Sequence, residues 1–221
     1  MKLIEQVSAG LESNLTYEID SPSDLKRWYP RITGFRSNYV ISAKTKETNS
    51  GVISNDNDRM VLRAIRSSAD LIITTGKTAV SEQLSASKSS PLLILTNSEV
   101  IDIPATRTSS AQTVFITAPQ VQYANKSVVA LGKTQEPLTS WLADVTKEYE
   151  SVVIESGLSV TLILQELLCE VCLTVTDADN TDAAWNVAEE YMQQFNGTWK
   201  LNQLLEIDKT LFFKFQTVLG N

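Results

Sequence analysis

Histidine is absent from this chain of 221 residues, and that absence removes several kinds of chemistry at once. A Ser-His-Asp or Cys-His nucleophile system cannot be assembled, and no metal can be held by imidazole. Cysteine is nearly absent too, with Cys169 and Cys172 the only two. Two thiols are too few for a zinc site without other ligands. Their C-x-x-C spacing leads into Cys172-Leu-Thr-Val-Thr176, which reads as a strand. Positions three apart on a strand point to opposite faces, so these are expected to be core or strand-edge thiols. Long hydrophobic runs are also missing: segments such as Val171 to Val175 fall far short of the roughly 20 residues that span a bilayer. Positive charge is in deficit, since 19 Lys and Arg against 26 Asp and Glu leave a net charge of −7. A sequence-independent grip on nucleic acid leaves a basic footprint, so no nucleic-acid partner is expected. The opening Met1-Lys2-Leu3-Ile4-Glu5 turns polar almost at once, which reads as a cytoplasmic chain without a secretory leader.

What is present is a hydrophobic fraction of 43%, enough for a real core. The length suits one domain over residues 1–221. Residues 1–35 mix charge, Pro and Trp without a period and are expected to form an irregular extension packed on it. Within them, Ser21-Pro22-Ser23-Asp24 resembles a cap before a short helix ended by Pro30. Asn38-Tyr-Val-Ile-Ser42 reads as a strand, and Ser54 or Asn55 opens a helix with Met60, Val61, Ala64 and Ile65 on one face. Short apolar strands follow at Leu71–Ile73, Leu92–Leu95, Thr113–Thr117, Ser127–Leu131 and Val152–Ile154. Helices are expected from Pro137 through Val145, from Leu158 to Leu168, and from an Asn180-Thr181-Asp182 cap to about Phe195. Thr198–Ile207 and Thr210–Val218 read as a closing hairpin turned by Asp208-Lys209, at one edge of the sheet. Short apolar strands alternating with helices imply an α/β fold with a mostly parallel central sheet covered on both faces.

In such sheets, ligands bind at the carboxyl ends of the strands. Three of these ends carry small or polar residues: Thr74 to Thr78, Thr96 to Ser98, and Glu155 to Ser159. The last begins a helix at a small-residue turn, so free N–H groups and the positive end of the dipole are presented to a ligand. Ser156 and Ser159 add hydroxyls, and Gly157 permits close backbone approach. An ordinary strand-to-helix turn with a serine cap is the plain alternative. Arg59, Arg63 and Arg66 form a basic stripe at helical spacing. A solvated face explains Arg59 and Arg63, whereas Arg66 lies at the helix end, where a guanidinium fork suits phosphate.

These pieces in this order resemble the reductase domain of the bacterial riboflavin-biosynthesis deaminase–reductase, a dihydrofolate-reductase-like family. The resemblance runs from about Tyr29 to Phe215. It rests on Asn38-Tyr-Val-Ile-Ser42, on Asn57-Asp-Arg59 through Arg66-Ser-Ser-Ala-Asp70-Leu-Ile-Ile, and on Thr78 followed by Glu82. It continues through Val153-Ile-Glu155-Ser-Gly157-Leu-Ser159 and Cys172-Leu-Thr174 to Leu205-Glu206 and Leu211-Phe212. The resemblance implies an NADPH-dependent reduction of 5-amino-6-(5-phosphoribosylamino)uracil to its ribitylamino form. It implies cofactor contacts at Thr78, Glu82, Asn97, Ser98, Ser156, Gly157, Leu158, Ser159 and Val160. Ser50, Arg66 and Glu155 match positions that contact the phosphorylated substrate, and Glu155 or Lys44 is the implied proton donor. The resembling reductases form dimers, so a homodimer is implied as well. Lys44 stands where the family has an acidic residue, and Ser156 where it has a glycine. Those two positions motivate a competing reading: a reductase-like protein that binds a ligand without turning it over, or that reduces a different pterin or pyrimidine.

Overall fold

The computed structural model describes residues 2–7, 13–18, 25, 34–42, 54–118 and 123–218. In chain order the strands are β1 (Lys2–Val7), β2 (Ser13–Glu18), β3 (Gly34–Ser42), β4 (Leu71–Thr75), β5 (Leu92–Leu95) and β6 (Val114–Ile116). They continue with β7 (Val128–Ala130), β8 (Ser151–Glu155), β9 (Leu168–Thr176), β10 (Trp199–Ile207) and β11 (Thr210–Thr217). The helices are α1 (Asp56–Ser67), α2 (Gly76–Ser81), α3 (Pro104–Arg107), α4 (Leu138–Val145), α5 (Leu158–Ile163) and α6 (Thr181–Met192). Where a single domain was expected, the chain divides into two compact units: Met1–Pro30 with Arg36–Ile65 and Leu168–Asn221, and Arg31–Phe35 with Arg66–Leu167.

The second unit is parallel. Its strands run in the order β8-β4-β5-β6-β7, and all four of these pairings are parallel. The sequence dictates this arrangement: Leu71–Ile73, Leu92–Leu95 and Val152–Ile154 are apolar on both faces, and every one of them is buried. The register pairs Thr74 with Glu155 and Thr75 with Leu95, so the carboxyl ends of β8, β4 and β5 reach the same edge.

The first unit is antiparallel, in the order β2-β1-β10-β11-β9-β3. On α6, Asn180 caps the first turn by accepting from the Ala183 N–H at 2.8 Å. Trp185 then lays its ring over Phe213 and Phe215 of β11, at centroid distances of 6.1 and 6.3 Å. Helix α1 opens with Asp56 and Asp58 and closes with Arg66, charges that complement its dipole. Val61, Ala64 and Ile65 form its buried stripe.

The expected class, α/β with a mostly parallel central set and a C-terminal antiparallel hairpin, is the one observed. Four expectations change in detail. Residues 2–7 and 13–18 are paired strands rather than irregular chain, and β1 lies against β10. The closing hairpin is therefore not at an edge: β11 is flanked by β10 and β9, and β10 by β1. The helix expected over Leu158–Leu168 stops at Ile163, gives one 3₁₀ turn at Gln165–Leu167, and yields to β9 at Leu168. Helices α2 and α3 fall in stretches that read as loop. The Ser21–Asp24 cap lies outside the described residues.

Candidate active site at the carboxyl edge of the parallel strands

Each strand of the parallel unit delivers its apolar run to the core and then releases a short polar segment at the same edge. After β4, Thr75 caps α2 by accepting from the Thr78 N–H at 3.2 Å, and the two threonine hydroxyl oxygens lie 3.0 Å apart. After β5, the Thr96 N–H donates to Thr117 Oγ1 at 2.8 Å, and Thr117 Oγ1 donates back to the Thr96 carbonyl at 3.0 Å. This reciprocal stitch fixes the start of the Thr96–Ser98 turn, and the Ser98 N–H bonds Thr96 Oγ1 at 3.0 Å. Gly76 is required where the two segments meet. A Cβ there would stand 2.6 Å from Thr96 Oγ1, closer than packed atoms allow.

The turn after β8 differs in kind. Gly157 is the N-cap of α5, no side chain caps that helix, and a Cβ on Gly157 would meet nothing within 4 Å. The first intrahelical bonds run from Val160 and Thr161 to the Gly157 carbonyl, so the N–H groups of Leu158 and Ser159 precede the helical ladder. Ser156 does not obstruct this approach. Its hydroxyl turns inward to Thr161 Oγ1 at 2.8 Å, and Thr161 is fully buried. Any contact Ser156 makes with a ligand therefore falls to its backbone, whereas Ser159 is exposed.

Glu155, just before this turn, is 9% exposed and forms a bidentate pair with Arg66. Nε of Arg66 donates to Oε1 at 2.7 Å, and Nη2 donates to Oε2 at 2.5 Å. The Glu155 carbonyl accepts from Thr74 Oγ1 at 2.8 Å. Backbone and carboxylate are thus both held.

The parallel register therefore gathers Thr78, Asn97, Ser98, Glu155 and Ser156–Val160 at one edge, with Arg66 joined through its pair. Glu82 is the exposed C-cap of α2, at the far end of that helix from Thr78. Lys44 and Ser50 lie outside the described residues. Sequence reasoning missed Thr75, Thr96, Thr117 and Thr161, whose shared signal is a threonine at or just past a buried strand or turn. A separate apolar cleft of about 260 Å³ is lined by Leu71, Leu93, Phe115, Trp141 and Tyr149 among others. Strand alternation sets Leu71 on the face opposite Thr74 and Glu155, and the cleft holds none of the expected site residues.

Cys169 and Cys172 are free thiols, both on β9, the first partly and the second fully buried. Burial, reinforced by the Glu170 carboxylate, pushes the Cys169 thiol up to about 11 and Cys172 further in the same direction. They are core thiols, as their spacing implied. Among the described residues, no helix is long and apolar enough to cross a membrane.

No protein-family model matches the sequence, and no curated protein matches it. Solved structures do match. The chain is similar to a deaminase/5-amino-6-(5-phosphoribosylamino)uracil reductase from Thermotoga maritima, with a TM-score of 0.63 at 11% identity over 85% of this chain. It spans 57% of that bifunctional protein. A pyrimidine reductase-like protein from Corynebacterium diphtheriae gives a TM-score of 0.61 at 15% identity, covering 85% of this chain and 93% of that one. The riboflavin biosynthesis reductase of Saccharomyces cerevisiae gives 0.57 at 12% identity, covering 90% of this chain and all of that one. The resemblance seen in the sequence is thus matched in three dimensions, and the chain has the fold of these proteins.

Proposed function

We propose that this chain is an NADPH-dependent reductase of a phosphoribosylamino-pyrimidine, 5-amino-6-(5-phosphoribosylamino)uracil or a close relative. One observation carries the reading. In a chain with the pyrimidine-reductase fold, the paired Glu155 and Arg66 adjoin an open, uncapped glycine turn at a single sheet edge. The turn fits an anionic cofactor group, because Gly157 offers side-chain-free approach and the Ser156 hydroxyl is directed away.

In this reading the backbone of Ser156, Gly157, Leu158, Ser159 and Val160 receives the cofactor phosphates. Thr78 and Glu82 flank the cofactor, and Asn97 or Ser98 meets its adenosine ribose. When bound, the cofactor supplies a hydride for C1′ of the opened sugar. The chain's own contribution is alignment of the reacting carbon and a proton from Glu155 or Lys44. Ser50, Glu155 and Arg66 form the substrate side. The same resemblance implies a homodimer, which sedimentation would test.

Purified protein should consume NADPH only when such a pyrimidine is added, followed by loss of the reduced-nicotinamide absorbance. Tight NADPH binding with no turnover on any pyrimidine or pterin would rule the reading out. Failure to bind NADPH at all would favour a ligand-binding protein that has lost the reaction.

A further inference from the structure

Arg66 and Glu155 share the substrate side of the proposed reductase, yet their geometry gives them unequal parts. Arg66 presents Nε and Nη2, the side-on fork by which a guanidinium grips phosphate, and both are bonded to the two oxygens of Glu155. A phosphate at that fork would meet a carboxylate of its own sign. Displacing Glu155 offers no relief, because its side chain is 9% exposed and a buried carboxylate stripped of its partner is costly. Taken together the two side chains carry no net charge. Each carboxylate oxygen still has lone-pair capacity beyond the bond it accepts from Arg66, and the Thr74 hydroxyl pins the backbone behind it. The result is an acceptor fixed in position at the carboxyl end of β8.

We propose that Arg66 is a positioning residue, which orients Glu155 to accept hydrogen bonds from the neutral amino, imide or hydroxyl donors of the substrate, and that it does not bind the substrate's phosphate. This rests on the reductase reading and specifies how that site chooses its substrate. Selection acts on donor groups of the ring and sugar at this point, and the phosphate is recognised elsewhere.

The test is a titration of the full chain with ribose 5-phosphate, for the native protein and for Glu155→Gln, Arg66→Gln and the double variant. Gln keeps the size of Glu155 and one acceptor while removing the charge, and thermal melting checks that each variant is folded. Native protein and Arg66→Gln should bind the sugar phosphate equally weakly. Glu155→Gln should bind it about tenfold more tightly or better, because the fork is released to an anion, and the double variant should lose that gain. A native affinity that falls tenfold in Arg66→Gln would overturn the proposal, and so would the absence of any gain in Glu155→Gln.

A second arm uses Arg66→Lys, which keeps the charge and loses the fork. It should lower kcat/KM by one common factor on the phosphorylated substrate and on its dephosphorylated form. Rescue confined to the phosphorylated form would instead make Arg66 a phosphate ligand. The titration needs no turnover. A native protein that fails to consume NADPH would sink the reductase reading, and the role of Arg66 would still be decided.

Discussion

The parallel and antiparallel units bury their polar groups in opposite ways. In the parallel unit the strands are apolar through their length, and polar atoms collect where the strands end, at Thr74–Thr75, Thr96 and Glu155–Ser156. In the antiparallel unit, charge sits in mid-strand. Lys214 of β11 and Glu170 of β9, 2% and 0% exposed, lie 3.3 Å apart, and Arg36 of β3 is fully buried. Gln216 Nε2 also donates to Glu170 at 3.4 Å. Asp58 accepts from Thr174 Oγ1 at 2.7 Å and from Ser54 Oγ at 2.9 Å. Polar groups at strand ends can be reached by a ligand. Those in mid-strand are sealed and partnered, and serve architecture. Titratable side chains alone would have pointed to the wrong unit; their position along the strand separates the two cases.

The largest effect that would test this contrast is expected from Lys214→Met. It strands Glu170 without its cation and should cost about 3–5 kcal/mol, read from the urea midpoint. Arg66→Met, at a strand end and 31% exposed, should cost about 1 kcal/mol or less. Equal losses would erase the distinction. Next come the two glycines that open helices in the parallel unit. Gly76→Ala drives a Cβ into Thr96 and should cost about 1–3 kcal/mol. Gly157→Ala enters open space and should cost no more than about 1 kcal/mol, while weakening NADPH binding if the proposed function holds. A smaller loss of about 1 kcal/mol is expected from Asn180→Ala, which removes the α6 cap, and its melting curve should show no change elsewhere.

The smallest effect is a pH dependence. The Cys169 thiol is raised from an ordinary value of 9.0 to about 11, first by burial and then by Glu170. The folded state therefore holds this proton longer than the unfolded chain. Its contribution to stability is full below pH 9 and is lost as pH rises toward 11. Urea midpoints should fall between pH 8 and pH 10 more in the native protein than in Cys169→Ser. At pH 8, iodoacetamide should label neither cysteine until urea unfolds the chain.

Local patterns gave the parallel unit nearly residue by residue. Leu92–Leu95 is a strand at the limits expected, and Asn180 caps α6 as its sequence implied. Elsewhere the determining contact was distant. The apolar run after Gly157 carries no breaker, so nothing local marks the change from helix to strand between Ile163 and Leu168. Lys2–Val7 shows no clean alternation and becomes a strand by pairing with β10. Helix α2 begins at a glycine and lasts six residues, too short for a periodic signal. At the site, Arg66 and Glu155 were each legible as candidates. Their bond to one another spans 89 positions and could not be read from either end. The inward turn of Ser156 is set by Thr161 on the following helix, and composition carries no trace of it.

Strand β1 finds its partner very late in synthesis. Lys2 pairs with Glu206, so a ribosome adding about 5–20 residues per second would leave β1 waiting roughly 10–40 s for β10 to emerge. Until then β1 has only β2 beside it, and a lone hairpin is marginally stable in water. The parallel unit, whose strands pair within residues 71–155, can condense first. During synthesis the open edge of β1 is the natural landing place for a chaperone, and the chain's aggregation in the cell should depend on how long that edge stays uncovered.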